Sequence, residues 1–158
     1  MVPKRYPYKI ISGGQTGVDR AALDLALELG IPCGGWCPQG RKAEDGPIDL
    51  RYPLTETHSP DYPVRTERNV LEADGTLIMT AGPLKGGTAL TVRLALRHKK
   101  PHWITDFTHR TEPGAVRVWI EKNKLNILNV AGPRESEAPG IHDRTFDFLK
   151  KIILQTAR

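Results

Sequence analysis

The stretch Tyr8-Lys9-Ile10-Ile11-Ser12-Gly13-Gly14-Gln15-Thr16-Gly17-Val18-Asp19-Arg20 decides the fold class. An apolar run over residues 8–12 ends in glycines and passes straight into a segment, 18–29, with Ala22, Leu25, Ala26 and Leu29 at helical spacing and Gly30 closing it. A strand that turns on glycine into a helix is the first half of a βα unit. The alternation continues along the chain. Strands are expected over 31–36, 76–80, 102–105 and 125–130, and helices over 66–73, 88–98, 113–123 and 141–156, the third of these opening on Pro113. Strands alternating with helices pair in parallel through right-handed crossovers. The chain therefore reads as one α/β domain over 1–158: a three-layer open parallel sheet of about five strands with helices on both faces. Such sheets bind ligands beyond the carboxyl ends of their strands, so the loops after the first, second, third and fifth strands are the place to look.

One connection is too long for a plain turn. Residues 37–64 hold Pro38, Pro47, Pro53, Pro60 and Pro63 among Arg41, Lys42, Glu44, Asp45, Asp49, Arg51 and Tyr52. Connections beyond about 12–15 residues are usually functional or disordered. This one reads as an ordered flap over the site, the alternative being a decorative insertion.

Composition excludes several classes. The 158 residues are 39% hydrophobic, enough for a real core, and carry a formal charge of +5. No apolar run approaches the ~20 residues of a membrane helix, and Met1–Arg5 holds no apolar signal region. Two cysteines make no disulfide framework, so a reducing cytoplasm is expected. A pI near 9.4 suits an anionic partner, but the charge is too diffuse, and lacks the aromatic–basic stripe, for a nucleic-acid-binding domain.

The loops carry the chemistry. In Ser12–Arg20 the glycines permit close backbone approach, and the helix that follows offers free N–H groups and a positive dipole end. Against the dinucleotide pattern G-x-G-x-x-G, Ser12 replaces the first glycine while Gly14 and Gly17 fit. Trp36 and Cys37, not an acid, end the second strand, which counts against NAD; Arg41 and Lys42 suit a 2′-phosphate. Asp19 is either a helix-start carboxylate acting on the dipole or a ligand group. The loop Thr80-Ala81-Gly82-Pro83-Leu84-Lys85-Gly86-Gly87-Thr88 nearly matches a P-loop through Gly82 and Gly87. Thr88 stands where lysine is needed, so the loop reads as a second anion cradle with Thr88 as cap and hydroxyl donor. Ala131-Gly132-Pro133-Arg134 repeats the Ala-Gly-Pro theme, and Arg134 can fork onto a phosphate. Arg65 and Asn69, four apart, face either the site or solvent. Cys33 and Cys37 do not form a C-x-x-C pair, and no serine lies in G-x-S-x-G.

The run Ser12–Arg20 with 40–48, 65–70, Ala73-Asp74-Gly75-Thr76, Lys85-Gly86-Gly87-Thr88 and 129–134 resembles the molybdenum carrier proteins, within the SLOG superfamily of Rossmann-like nucleotide-binding proteins. The resemblance spans nearly the whole chain. It implies a Rossmann-like fold and a non-catalytic carrier of a small phosphorylated ligand, the molybdenum cofactor being the favoured cargo, in a homodimer or homotetramer. On that reading Ser12, Gly13, Gly14, Gln15, Thr16, Gly17, Asp19, Gly82, Lys85, Gly86, Gly87, Thr88 and Gly132 form the cradles. Arg41, Lys42, Glu44, Asp45, Arg65, Asn69 and Arg134 surround the ligand, and the flap shields it. Related lysine-decarboxylase-like phosphoribohydrolases carry P-G-G-x-G-T-x-x-E, with a catalytic glutamate. Aligning G-T on Gly87-Thr88 puts Thr91 at that position, and threonine is no general base near neutral pH. The alternative reading, an enzyme binding or hydrolysing a nucleoside phosphate, leaves Glu44, Asp45, Asp19 or Glu135 as its carboxylate.

Overall fold

The computed structural model describes residues 5–154, so Met1–Lys4 and the expected end of the last helix at Thr156 lie outside the described residues. In chain order the elements are β1 (Lys9–Ile11), α1 (Val18–Leu29), β2 (Cys33–Gly34), β3 (Trp36–Cys37), β4 (Thr55–Glu56), α2 (Tyr62–Glu72), β5 (Gly75–Thr80), α3 (Gly86–Arg97), β6 (His102–Asp106), α4 (Pro113–Lys122), β7 (Ile127–Ala131) and α5 (Ile141–Leu154). Five strands form one parallel sheet in the order β2-β1-β7-β5-β6, with helices on both faces, a Rossmann-like α/β fold. The chain leaves β1 toward one edge and β5 toward the other, while β7 returns to the centre between them. The carboxyl ends of β1, β7 and β5 therefore open side by side, at the kind of switch point where such sheets bind ligands. No helix among the described residues is long and apolar enough to cross a membrane.

The two sheet faces differ in chemistry. Alternation along β5 and β7 sends Leu77, Met79, Leu128 and Val130 to one face, where they pack with α1, α4 and α5 into the main core. The opposite face, under α2 and α3, carries buried Thr76 and Asn129, and Asn129 Nδ2 donates to Thr76 Oγ1 at 3.3 Å. Val70 of α2 meets Leu94 and Ala95 of α3 in a small apolar contact, and buried Thr66, Asn69 and Thr91 continue the polar lining toward the loops. A buried polar layer has to be hydrogen-bonded, and here it leads into the site.

Two elements differ from the sequence expectation. The second strand is not continuous over 31–36: it breaks at Gly35 (φ 124°), and Trp36–Cys37 leaves the main sheet to pair in parallel with Thr55–Glu56. The Asn69 side chain fixes the break by accepting from the Trp36 N–H (2.8 Å) and donating to its carbonyl (2.9 Å). The second helix starts at Tyr62 rather than at 66, with Asp61 at the N-cap and Pro63 in the first turn. Proline is at home there because its missing N–H has no helical acceptor anyway.

Residues 38–61 are held in place. Leu23, Cys37, Ala43, Ile48 and Tyr52 form a second core between this segment and α1. Arg41, at φ 55°, donates to the carbonyls of Ile48 (2.9 Å), Asp49 (2.8 Å), Tyr52 (2.8 Å) and Leu54 (3.4 Å). One guanidinium thus satisfies the turn's inward carbonyls and is not left for a ligand, contrary to the expectation for this residue.

Candidate functional site

A cavity of about 310 Å³ opens beyond the carboxyl ends of β1 and β7, between the first turns of α2 and α3. Gln15 comes from the β1–α1 connection, Asp19 from the first turn of α1, Tyr62, Arg65 and Thr66 from α2, Gly86 to Thr88 and Arg93 from α3, and Gly132 and Arg134 from the β7–α5 loop. Behind it lies a polar recess of about 10 Å³, where Asp19 and Arg65 meet Asn69, Thr91 and Asn129. That volume suits one water or one ligand atom.

Asp19 sits at the floor with its side chain 6% exposed, its Oδ2 accepting from the Gln15 N–H at 3.3 Å and standing 4.0 Å from Arg65 Nη2. Burial pushes its carboxyl up to about 6, against the opposing pull of Arg65, the Gln15 N–H and Arg20. Arg65 Nη1 donates to Thr66 Oγ1 at 2.9 Å, while its Nε is buried without a partner among the described residues. The Gln15 amide is oriented by its neighbours: Oε1 accepts from the N–H of Thr16 (3.1 Å) and of Glu44 (2.8 Å). Its Nε2 is left buried and without a partner among the described residues. Buried donors without an acceptor are costly. At the rim Lys42, Arg65 and Arg134 surround the Tyr62 ring, at 4.4, 5.2 and 5.4 Å from its centroid. Arg134 also pairs with Glu137 at 3.0 Å.

The two expected cradles differ. At α3 the helix begins at Gly86 with Lys85 as N-cap, and no side chain caps it. Thr88 is therefore the third helical residue and not the expected cap; its N–H donates to the Lys85 carbonyl at 3.0 Å. A Cβ added at Gly86 or Gly87 would meet nothing within 4 Å, so this helix end faces open space. At α1 the chain itself fills the place. The Val18 N–H donates to the Pro133 carbonyl at 3.3 Å, and a Cβ on Gly17 (φ 81°) would run into the backbone of Pro133, Arg134 and Glu135. A Cβ on Gly14 would lie 2.5 Å from Leu54 Cδ1, and one on Gly132 would strike the Met79 carbonyl and Val18. These three glycines permit close packing of chain on chain. Gly13 differs, its missing Cβ making room for the Arg65 guanidinium at 2.8 Å.

The other residues singled out in the sequence hold the surrounding loops. Ser12 Oγ donates to the Asp19 carbonyl at 2.8 Å. The Thr16 hydroxyl donates to Glu44 and accepts from the Glu135 N–H at 3.1 Å. Glu44 also accepts from the Ser136 hydroxyl (2.5 Å) and N–H (3.2 Å). Burial opposes its ionisation, yet the bonds from Ser136 and Thr16 hold its carboxyl below the ordinary range. Asp45 pairs with Arg20 at 2.8 Å, which lowers its carboxyl too. Gly82 lies toward β6, its N–H on Asp106 Oδ1 at 3.0 Å, and Lys85 borders a small hollow beside the main cavity. No residue of 38–61 lines the main cavity, and Lys42 reaches only the Tyr62 rim.

Sequence reasoning missed Tyr62, Thr66, Arg93 and Glu137. Arg93 was recoverable: Gly86, Leu90 and Arg93 are spaced four and three apart, so one helical face continues from the glycines. Tyr62 and Thr66 became visible only once α2 was seen to begin at residue 62.

A solved structure is very similar in fold and sequence. It is titled as the crystal structure, at 1.45 Å resolution, of a "Putative molybdenum carrier protein" from Syntrophus aciditrophicus SB, with a TM-score of 0.90 and 46% identity over 94% of this chain and 96% of that one. No curated protein matches the sequence. The sequence pattern of the circularly permutated YpsA SLOG family matches residues 10–153. The chain belongs to that family.

Proposed function

We propose that this protein binds and carries a small phosphorylated ligand, with a molybdenum-related cargo suggested by the name of its structural neighbour and the pterin-bearing molybdenum cofactor as the favoured case. The observation that carries the reading is the pairing of an uncapped, open α3 N-terminus with a cavity lined by Arg65, Arg93 and Arg134, with Gln15 Nε2 buried and unpartnered beside it among the described residues. A helix N-terminus seats a phosphate, and the guanidiniums balance its charge. The volume lies at the lower end of the range for small-ligand sites. Thr91 Oγ1 donates to the Gly87 carbonyl at 2.8 Å, where the related hydrolases place a glutamate, which favours binding over catalysis.

Asp19 supports a second reading. Of the carboxylates weighed for nucleoside-phosphate hydrolysis, Glu44 and Asp45 are held in loop contacts and Asp19 alone faces the cavity, with a carboxyl near 6 suited to a general base. Release of free base from nucleoside monophosphates, lost in Asp19→Asn, supports that activity; no release discards it.

The direct test is a thermal-shift panel of molybdenum cofactor, molybdate, a pterin phosphate, AMP and NADP on the purified protein. A ligand at 100 times its Kd adds ~2.7 kcal/mol and raises the midpoint by roughly 5–10 °C at this size. A shift with the cofactor and pterin phosphate supports the carrier reading, and a shift with nucleotides alone moves it to nucleotide binding.

A further inference from the structure

We infer that the cavity floor reads the amide edge of an amino-oxo-pyrimidine ring, the edge that guanine and pterin share, through Asp19 and Gln15. The inference rests on the binding role proposed above and names the ring that the phosphate carries.

The floor has one acceptor group and one oriented donor. Asp19 is a carboxylate that accepts from the Gln15 N–H and stands 4.0 Å from an Arg65 nitrogen, and it borders both the cavity and the recess behind it. The Gln15 amide cannot turn over without losing two bonds, because its Oε1 accepts from Thr16 and Glu44. Its NH₂ end is therefore fixed as the end without a partner, on a residue 5% exposed. A ring that presents N–H and NH₂ side by side, with a carbonyl next to them, satisfies both groups. The two donors bind the Asp19 carboxylate, and the carbonyl accepts from Gln15 Nε2. An adenine edge has no N–H beside its amino group, and a hypoxanthine edge lacks the amino group.

The walls suit a flat ring carrying a phosphate. Pro63 and Leu90 add apolar lining to the cavity, and the Tyr62 ring stands among Lys42, Arg65 and Arg134 at its rim. Gly86 and Gly87 leave that end clear for the phosphate. A carboxylate buried beside unfilled hydrogen-bonding capacity is costly in the empty protein, and a ligand that brings two N–H donors removes that cost.

Two ligand pairs test the inference, each losing the amino group: GMP against IMP, where hydrogen replaces it, and a 6-hydroxymethylpterin phosphate against its lumazine counterpart, where a carbonyl replaces it and the adjacent ring nitrogen gains a proton. Kd values are measured by calorimetry at pH 7.5 on the wild type and on Asp19→Asn, which keeps the shape of the side chain. A site built on hydrogen bonds to a charged group rejects the analogue that lacks them by about 10- to 100-fold. The wild type is expected to prefer the amino-bearing member of at least one pair by that factor, and Asp19→Asn to lose the preference while still binding. The pair that shows the preference identifies the source of the ring. Equal affinity within both pairs overturns the edge-reading assignment and leaves the phosphate site standing. No binding by any of the four refutes the phosphorylated-ring reading and this inference with it.

Discussion

Gly87→Asp separates the site from the scaffold, because it is expected to move stability and affinity in opposite directions. Gly87 is the second residue of α3 and does not have a positive φ, and a Cβ there meets no atom within 4 Å. A carboxylate in a helix's first turn contributes about 0.3–1 kcal/mol through the dipole, and removing a glycine from a compatible position adds roughly 0.4–1 kcal/mol. The variant should therefore melt a few degrees higher than the wild type, at about 2–4 °C per kcal/mol. Affinity should fall. A unit charge placed about 5 Å from a phosphate, at an effective dielectric constant near 20, opposes it by about 3 kcal/mol, on the order of 100-fold in Kd. Calorimetry with the phosphorylated probe that shifts the wild type measures the loss, and Gly87→Asn gives the steric part without the charge. Gly17→Ala is the contrasting variant: its methyl group meets the backbone of the β7–α5 loop at a positive φ, so it should lower the melting temperature. Unchanged affinity in Gly87→Asp would refute the placement of the phosphate at α3. A lowered melting temperature would refute the claim that this glycine borders open space.

Three further outcomes follow from ionisable groups. The Asp19 carboxyl is raised from 3.8 to about 6, so the protonated form is favoured in the fold; the stability it contributes is present below pH 4 and is lost as pH rises through 6. Asp19→Asn should gain on the wild type over that window by about 3 kcal/mol at neutral pH, read from urea midpoints at pH 4 and 7.5. His142 links α5 to Asp24 of α1 at 2.7 Å, and Asp24 in turn accepts from the Tyr52 hydroxyl at 2.5 Å. Burial opposes its charge, but Asp24 and Asp143 raise its pKa above 6.5, so its contribution is present below pH 6.5 and lost as pH climbs through the raised value. His142→Gln should flatten the stability profile between pH 6 and 8.5; an unchanged slope argues against the link. Glu44, with its carboxyl held low, contributes above pH 4.5 and loses that contribution on acidification. Glu44→Gln should speed amide hydrogen exchange within 38–61 at pH 7 with little change in melting temperature, and unaltered exchange would show that Glu44 does not hold the segment.

The sequence by itself determined the alternation of strands and helices, the parallel sheet and the loops at which to look for a site. These are local signals: an apolar run, a helical period and a glycine between them. Gly13 to Gly17 and Gly86 to Thr88 look alike by that measure, since each takes a strand into a helix. Only the tertiary structure told them apart. It sets the β7–α5 loop against Gly17 and leaves Gly87 open, a contact between residues more than a hundred positions apart. Arg41 and Asp19 show the same limit. In the sequence Arg41 is a free cation near a predicted strand end and Asp19 is a helix-start acid. In the fold Arg41 is engaged by four carbonyls of its own turn. Asp19 is buried at the floor of a cavity formed by four separate stretches of chain. The local pattern shows which groups are available; burial and long-range packing decide which of them a ligand can reach, because both depend on what the rest of the chain places around each residue.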